Sequence, residues 1–183
     1  MSFSGPASAD IRNYTIGKGI ASFKKTGASV YRDLGNCPAF EFTPTAETLD
    51  HFSSRTGVKS KDRSVVVSTE GELKITMEEF TVENLALALL GNIDEDSSGR
   101  PVIDILQNSS VTGLVKFTGT NSVGQKFEWI FNNVSFIPSS TVSPLSDEWG
   151  TFEVTGQVLV DNGGKFGTVT HIGGEGYEED SSS

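Results

Sequence analysis

The side chains able to do acid–base, nucleophilic or metal chemistry are few and scattered. His51 and His171 are the two imidazoles, and Cys37 is the one thiol. A zinc site needs three or four Cys, His or carboxylate ligands at close spacing, and neither an HxxH nor a CxxC pair occurs. His51 lies in a polar stretch and reads as an exposed contact residue, while His171 reads as a surface or edge histidine of a late strand. Cys37, just before Pro38, reads as buried, and a lone cysteine forms no internal disulfide. Asp94-Glu95-Asp96-Ser97-Ser98-Gly99 places Asp, Asp, Ser and Gly at positions 1, 3, 5 and 6 of a calcium loop. Position 12, which calls for a bidentate Glu, is Ile105, and no second helix follows, so the stretch reads as a solvated acidic turn. The adjacent pairs Glu78-Glu79 and Glu178-Glu179 diverge to opposite faces if extended. Gly17-Lys18-Gly19 lacks the further glycine and the helix of a phosphate-cradling loop. No catalytic constellation emerges, and the expectation is a protein without enzyme activity, cofactor or metal.

Charge narrows the partners. Fourteen Lys and Arg against 24 Asp and Glu leave a net charge of -10 over 183 residues. A protein that grips phosphates carries a basic surplus, so nucleic-acid binding is disfavoured. Within residues 44–63, however, Arg55, Lys59, Lys61 and Arg63 outweigh Glu47, Asp50 and Asp62, giving that stretch +1 and the remainder -11. The longest apolar run, residues 85–90, is too short to cross a bilayer, and residues 1–10 do not have the form of a signal peptide. Synthesis in a reducing cytoplasm is the expectation.

The elements that must position these groups are strands. Apolar residues make up only 36% of the chain, but 12 Phe, 2 Trp and 3 Tyr supply a core, and 20 Gly point to many turns. Residues 14–23 alternate, with a change of phase at Gly17 and Gly19 that suggests a twist or bulge. Short extended pieces follow at 30–34 and 40–42. Residues 44–63 are polar and without a sustained period, which predicts a long loop. Val65-Val66-Val67 reads as a strand, hairpinned across Glu70-Gly71 to residues 72–80, where Leu73, Ile75 and Met77 face inward. One helix is predicted over 81–90, capped by Thr81, with Val82, Leu85, Ala86, Leu89 and Leu90 on its apolar stripe. Residues 92–101 read as an acidic loop. Strands follow at 102–106, 111–118, 126–137, 149–160 and 166–172. A slip of phase at Asn132-Asn133 predicts a β-bulge, and Asp161-Asn162-Gly163-Gly164 predicts a hairpin turn. Phe127, Trp129 and Phe131 read as core rather than as a stacking platform. The expected fold is mainly β: a single-domain β-sandwich or partly open barrel (13–172) with one flanking helix. A mobile arm (1–12) and an acidic flexible tail (173–183) bracket it.

Two stretches carry a family resemblance. Glu47, Leu49, His51, Phe52, Ser53, Ser54, Arg55 and Gly57 follow the pattern E-x-L-x-H-[FY]-S-S-R-x-G, with Lys61-Asp62 after it. Residues 73–91, Leu-Lys-Ile-Thr-Met-Glu-Glu-Phe-Thr-Val-Glu-Asn-Leu-Ala-Leu-Ala-Leu-Leu-Gly, add a second match. Over residues 13–92 the chain resembles the major tail tube proteins of long, non-contractile-tailed bacteriophages, a family related to type VI secretion tubes. The resemblance implies hexameric rings that stack head to tail into a hollow tube. The inner sheet of each protomer would join a β-barrel across subunits, and the tube would serve genome ejection. It implies a virion location after assembly in the host cytoplasm, with tape measure, tail terminator and distal tail or baseplate proteins as partners. Viral DNA would pass without specific binding. On this reading Glu47, Leu49, His51, Phe52, Arg55, Lys59, Lys61 and Arg63 form the contact loop between rings or subunits. Glu70, Glu72, Glu78 and Glu128 are the candidates for an acidic lumen wall that repels phosphates. The competing reading is a receptor- or carbohydrate-binding β-sandwich of the same virion, which would expose an aromatic platform.

Overall fold

The computed structural model describes residues 9–55, 57–138, 141–145 and 147–174. Among these residues ten strands and one α-helix follow a 3-10 turn at Ile11–Asn13: β1 (Gly19–Lys25), β2 (Arg32–Asp33), β3 (Ala39–Ser53), β4 (Ser60–Met77), α1 (Val82–Ala88), β5 (Asn92–Glu95), β6 (Pro101–Asp104), β7 (Val111–Gly119), β8 (Gln125–Phe136), β9 (Phe152–Val158) and β10 (Gly167–Gly174). The expected mainly β architecture with one flanking helix is what the chain adopts. Eight strands form one antiparallel sheet in the order β2-β1-β7-β8-β9-β4-β3, with β10 added to β8, while β5 and β6 make a separate hairpin.

The large sheet folds over on itself and does not close. Its hinge is β8, whose first half pairs with β10 and whose last residues, 134–136, pair with β9. Between them lies the bulge expected at Asn132-Asn133: Val115 sits opposite Phe131, but Gly113 opposite Val134, so β8 spends one extra residue there. The fold-over brings strands far apart in the sheet order into contact. Phe40 of β3 meets Phe117 of β7, and Phe42 meets Phe131 of β8, each at 4.9 Å between ring centroids. One layer is therefore β2-β1-β7-β8-β10 and the other β9-β4-β3, with the core between their inner faces. Phe23, Val115, Phe131, Val134 and Phe136 come from the first layer, and Leu73, Ile75, Met77, Phe152, Val154 and Val158 from the second. Every second residue of β9, of β4 from Gly71 to Met77 and of β7 from Val111 to Val115 is apolar or Gly and buried, the period of a half-buried strand.

Helix α1 closes one end of this core. Thr81 Oγ1 accepts the Asn84 N–H at 3.2 Å, and Glu83 stands in the first turn where the helix dipole favours it. The buried face is rotated from the predicted stripe: Asn84, Ala86, Leu87 and Leu90 are inside, while Val82, Leu85 and Leu89 are only half-buried. Asn84 points inward because its amide donates to the carbonyls of Leu34 and Glu79 and its oxygen accepts from Arg32 at 2.6 Å. Just past the C-cap Leu89, Leu90 takes the left-handed region (φ 48°) that glycine usually fills, and its side chain is buried there.

Several sequence expectations are corrected. Residues 44–63 are not a loop: they are the distal parts of β3 and β4 and the turn between them. Glu70-Gly71 is not a hairpin turn but the middle of β4, and Gly71 leaves room for Phe42, whose ring would lie 2.7 Å from a Cβ there. The strand predicted from residue 14 starts at Gly19 and pairs with β7 without a register shift. Residues 92–101 are a hairpin, β5 and β6, rather than a loop. The turn at Asp161 forms, but β10 pairs with β8 and not β9, because β9 already has β8 and β4 at its two sides. Of the arm 1–12, residues 1–8 lie outside the described residues, and Asp10 caps the 3-10 turn. Of the acidic tail, residues 175–183 lie outside them, and Gly173 and Gly174 belong to β10.

Candidate functional site

The hairpin of β3 and β4 is far longer than the body that supports it. The two strands pair from Ala39 opposite Thr76 out to Ser53 opposite Ser60. Strand β9 accompanies β4 only as far as Gly71, opposite Val158. Beyond that point residues 44–53 and 60–70 form a ribbon with no third strand among the described residues, and all of its side chains except those of Ser53 and Ser68 are exposed. The local sequence explains why it is extended: Thr43, Thr45, Thr48 and Val65-Val66-Val67 are β-branched and suit strands. Three successive valines also put apolar side chains on both faces of the ribbon, joined by Leu49, Phe52 and, in the turn, Val58. Two register shifts, at Glu47/Thr48 and His51/Phe52, break the alternation, which is why the sequence lacks a period there.

All eight predicted contact residues come together on this ribbon. Glu47, Leu49, His51 and Phe52 stand on β3, Lys61 and Arg63 on β4, and Arg55 and Lys59 in the turn. Cross-strand pairs stiffen it: His51 Nδ1 lies 2.6 Å from Asp62, Lys61 Nζ 2.8 Å from Asp50, and Ser64 Oγ donates to Asp50 at 2.6 Å. The Lys61 and Ser64 hydrogen bonds hold the Asp50 carboxyl below its ordinary value. Among the described residues no carboxylate pairs with Arg55, Lys59 or Arg63, so the outer end of the ribbon carries uncompensated positive charge.

The outer face of β9-β4-β3 is acidic. Alternation and register place Glu153 on β9, Glu70, Glu72 and Lys74 on β4, and Glu41 and Glu47 on β3 upon one face. Lys74 pairs with Glu153 at 3.0 Å, which raises the lysine's pKa. Of the four predicted lumen residues, only Glu70 and Glu72 share this face. Glu78 lies past the end of β4, where its carboxylate accepts from the Asn36 side chain. Glu128 is on the outer face of β8, accepting from Thr118 Oγ1 at 3.3 Å. That layer looks the opposite way, so one wall cannot hold both Glu72 and Glu128. Glu41 and Glu153 were missed, because only the register of β3 and β9 against β4 reveals them.

The remaining chemical candidates have structural roles. Burial first, then the carboxylates of Asp33, Glu79 and Glu78, push the Cys37 thiol up to about 11, so it is protonated at neutral pH. His171 Nε2 lies 2.7 Å from Gln125 Oε1, and its ring is 5.2 Å from that of Phe127. Asp96 caps the β5–β6 turn through the N–H groups of Ser98 and Arg100 and an ion pair with Arg100 at 2.6 Å. Among the described residues, no three His, Cys, Asp or Glu side chains are grouped to hold a metal ion. No helix there is long and apolar enough to cross a membrane. Phe131 is buried and Trp129 packs partly buried against it, but Phe127, expected in the core, is 37% exposed at the end of that row, where its ring meets His171. A groove of about 690 Å³ lies between the β1–β2 connection, α1 and β5, with Phe23, Leu87 and Val111 among its apolar lining and Lys25, Arg32, Glu83 and Asp94 among its charged groups.

Residues 14–121, from before β1 through the ribbon, α1 and β7, match the model of a family described as "Protein of unknown function UCP028589". The match covers more than half of the chain, and the protein belongs to that family. Comparison with curated proteins finds no match.

Proposed function

We propose that this chain is the structural subunit of a bacteriophage tail tube, without enzyme activity or cofactor. It would assemble into hexameric rings that stack head to tail around an acidic bore. The observation that carries the reading is the ribbon of residues 44–53 and 60–70. A two-stranded ribbon in water is marginally stable alone, and this one leaves both outer edges unpaired and apolar side chains on both faces. Exposed edges are templates for pairing with another chain. The open edge of β3 and that of distal β4 are unlike, so copies joined β3 to β4 form a directional, all-antiparallel series, which closes into a ring if the rotation allows. Such pairing would carry the acidic face around the bore, where carboxylates repel DNA phosphates and let the genome slide. The free cations Arg55 and Lys59 at the tip suit the acidic body of an adjoining ring. The resemblance of residues 13–92 to tail tube proteins supplies the six-fold symmetry, the virion location and the partners: tape measure, terminator and distal tail proteins.

Negative-stain microscopy of the purified full chain tests this. Six-fold rings or tubes are the expected result. A monomer at every soluble concentration, by light scattering, would overturn it.

A further inference from the structure

We propose a second contact between copies, in which the loop around Trp149 of one copy lies on a cationic patch around Tyr31 of the next. It rests on the assembly reading above, and it names a surface the ribbon does not use. Trp149 is 94% exposed and Leu145 89%, the two most exposed large apolar side chains among the described residues. A tryptophan normally buries a large area, and tryptophan is enriched among the side chains that carry binding energy at interfaces. The segment is seated where it enters β9. Gly150 packs against Phe80, whose ring would lie 3.0 Å from a Cβ there, and Phe80 meets Phe152 edge-on at 4.9 Å. Asp147, exposed two residues before the indole, sets a carboxylate beside the projecting aromatic.

The complementary surface is on the outer face of β1 and β7. Lys24 Nζ and Lys116 Nζ both stand over the Tyr31 ring, at 5.1 and 5.0 Å from its centroid. Among the described residues neither ammonium has a carboxylate within ion-pair distance. Glu128 acts on Tyr31 from the same face, raising its pKa behind burial, and is hydrogen-bonded to Thr118. Two like charges gathered on one ring in a chain of -10 call for an anionic, aromatic partner. An indole laid beside Tyr31 would receive both cations on its face, with Asp147 within reach of Lys116. A polyanion such as nucleic acid would meet the repulsion of the whole chain, whereas the Trp149 loop offers one local carboxylate, Asp147, beside an aromatic ring. The α1 groove is a poorer match for that loop because Glu83 and Asp94 cancel Lys25 and Arg32 there. The two patches are different surfaces, one on the first layer and one beside the ends of β4 and β9. The contact is therefore heterologous and propagates directionally, as rings or stacks require.

Two measurements on the full chain test this. With p-benzoylphenylalanine in place of Trp149, irradiation of assemblies should cross-link position 149 to peptides holding Tyr31, Lys24 or Lys116 of another copy. Asp147→Lys and Lys116→Glu should each weaken self-association about tenfold or more, and the double variant should recover it. Cross-links confined to other surfaces, single variants that associate normally, or a double variant without recovery would each overturn the contact while leaving the tube reading intact. A wild-type chain that stays monomeric overturns both.

Discussion

Lys61 Nζ sits 2.8 Å from Asp50 across the ribbon, whereas Arg55 and Lys59, nearer the tip, have no carboxylate partner among the described residues. The basic stretch therefore holds two kinds of cation. One kind is internal to the ribbon, and the other is available to a neighbour. Arg55→Glu with Lys59→Glu should leave the circular dichroism spectrum and thermal midpoint close to wild type, because exposed unpaired charges contribute little to stability. The same variant should form no tubes in negative stain. Lys61→Glu alone should loosen the ribbon by setting like charges against Asp50. Normal tubes from the double variant would exclude a role for the tip cations in assembly.

Core packing offers a prediction independent of assembly. Phe136 is 1% exposed and meets Phe23 edge-on at 5.4 Å. Phe136→Ala should cost about 3–5 kcal/mol in urea unfolding of the monomer. Gly156 faces the same ring: a Cβ there would lie 2.5 Å from Val134 Cγ1 and 3.0 Å from Phe136 Cδ1. Gly156→Ala should cost about 1–3 kcal/mol by overpacking. In the double variant the added methyl enters space the ring has left, so the combined loss should fall below the sum of the two. Strict additivity would show that the site relaxes independently around each change.

Much of this body was legible from alternation alone. The inward set Leu73, Ile75 and Met77, the helix cap at Thr81 and the bulge at Asn132-Asn133 each follow from local periodicity, and the structure has all three. The ribbon was not legible, because a strand exposed on both faces has no reason to alternate and its two register shifts scramble what pattern remains. The acidic face was half-legible. Glu70 and Glu72 share a strand, but the pairing that adds Glu41 and Glu153 is non-local, and the fold-over that turns Glu128 away depends on contacts such as Phe42 with Phe131.

The turn after β9 should respond to acid. The Lys165 N–H, the Asn132 amide and the Gly163 N–H all donate to the Asp161 carboxylate, holding its pKa below the ordinary 3.8. A depressed carboxylate pKa stabilises the fold above the unfolded value, and that contribution disappears as pH falls through the folded value. Asp161→Asn removes the titration, so between roughly pH 5 and pH 2 the variant should lose less stability than wild type. Parallel acid-unfolding curves for the two proteins would mean that the turn does not couple to global stability. The bond from Asn132 ties this turn to the β8 bulge, so Asn132→Ala should raise the Asp161 pKa, read directly by carboxyl carbon NMR.

The acidic face makes the sharpest functional prediction. Glu41, Glu70, Glu72 and Glu153 project from one face of three neighbouring strands, where Lys74 is already paired to Glu153. Carboxylates lining a bore keep phosphates away from the wall, and neutral amides would not. Replacing the four with Gln should leave ring and tube formation intact, since none of them contributes a buried side chain. Tubes of the variant should retain DNA in a co-sedimentation assay at low salt, and phage assembled from it should eject their genome more slowly. Restoring Glu at positions 70 and 72 alone should return part of the release, and Glu128→Gln, on the opposite layer, should have no effect. If instead Glu128→Gln alone slowed ejection while the quadruple variant did not, the bore would be lined by β8 and the first layer, and the ribbon would lie on the outside of the tube.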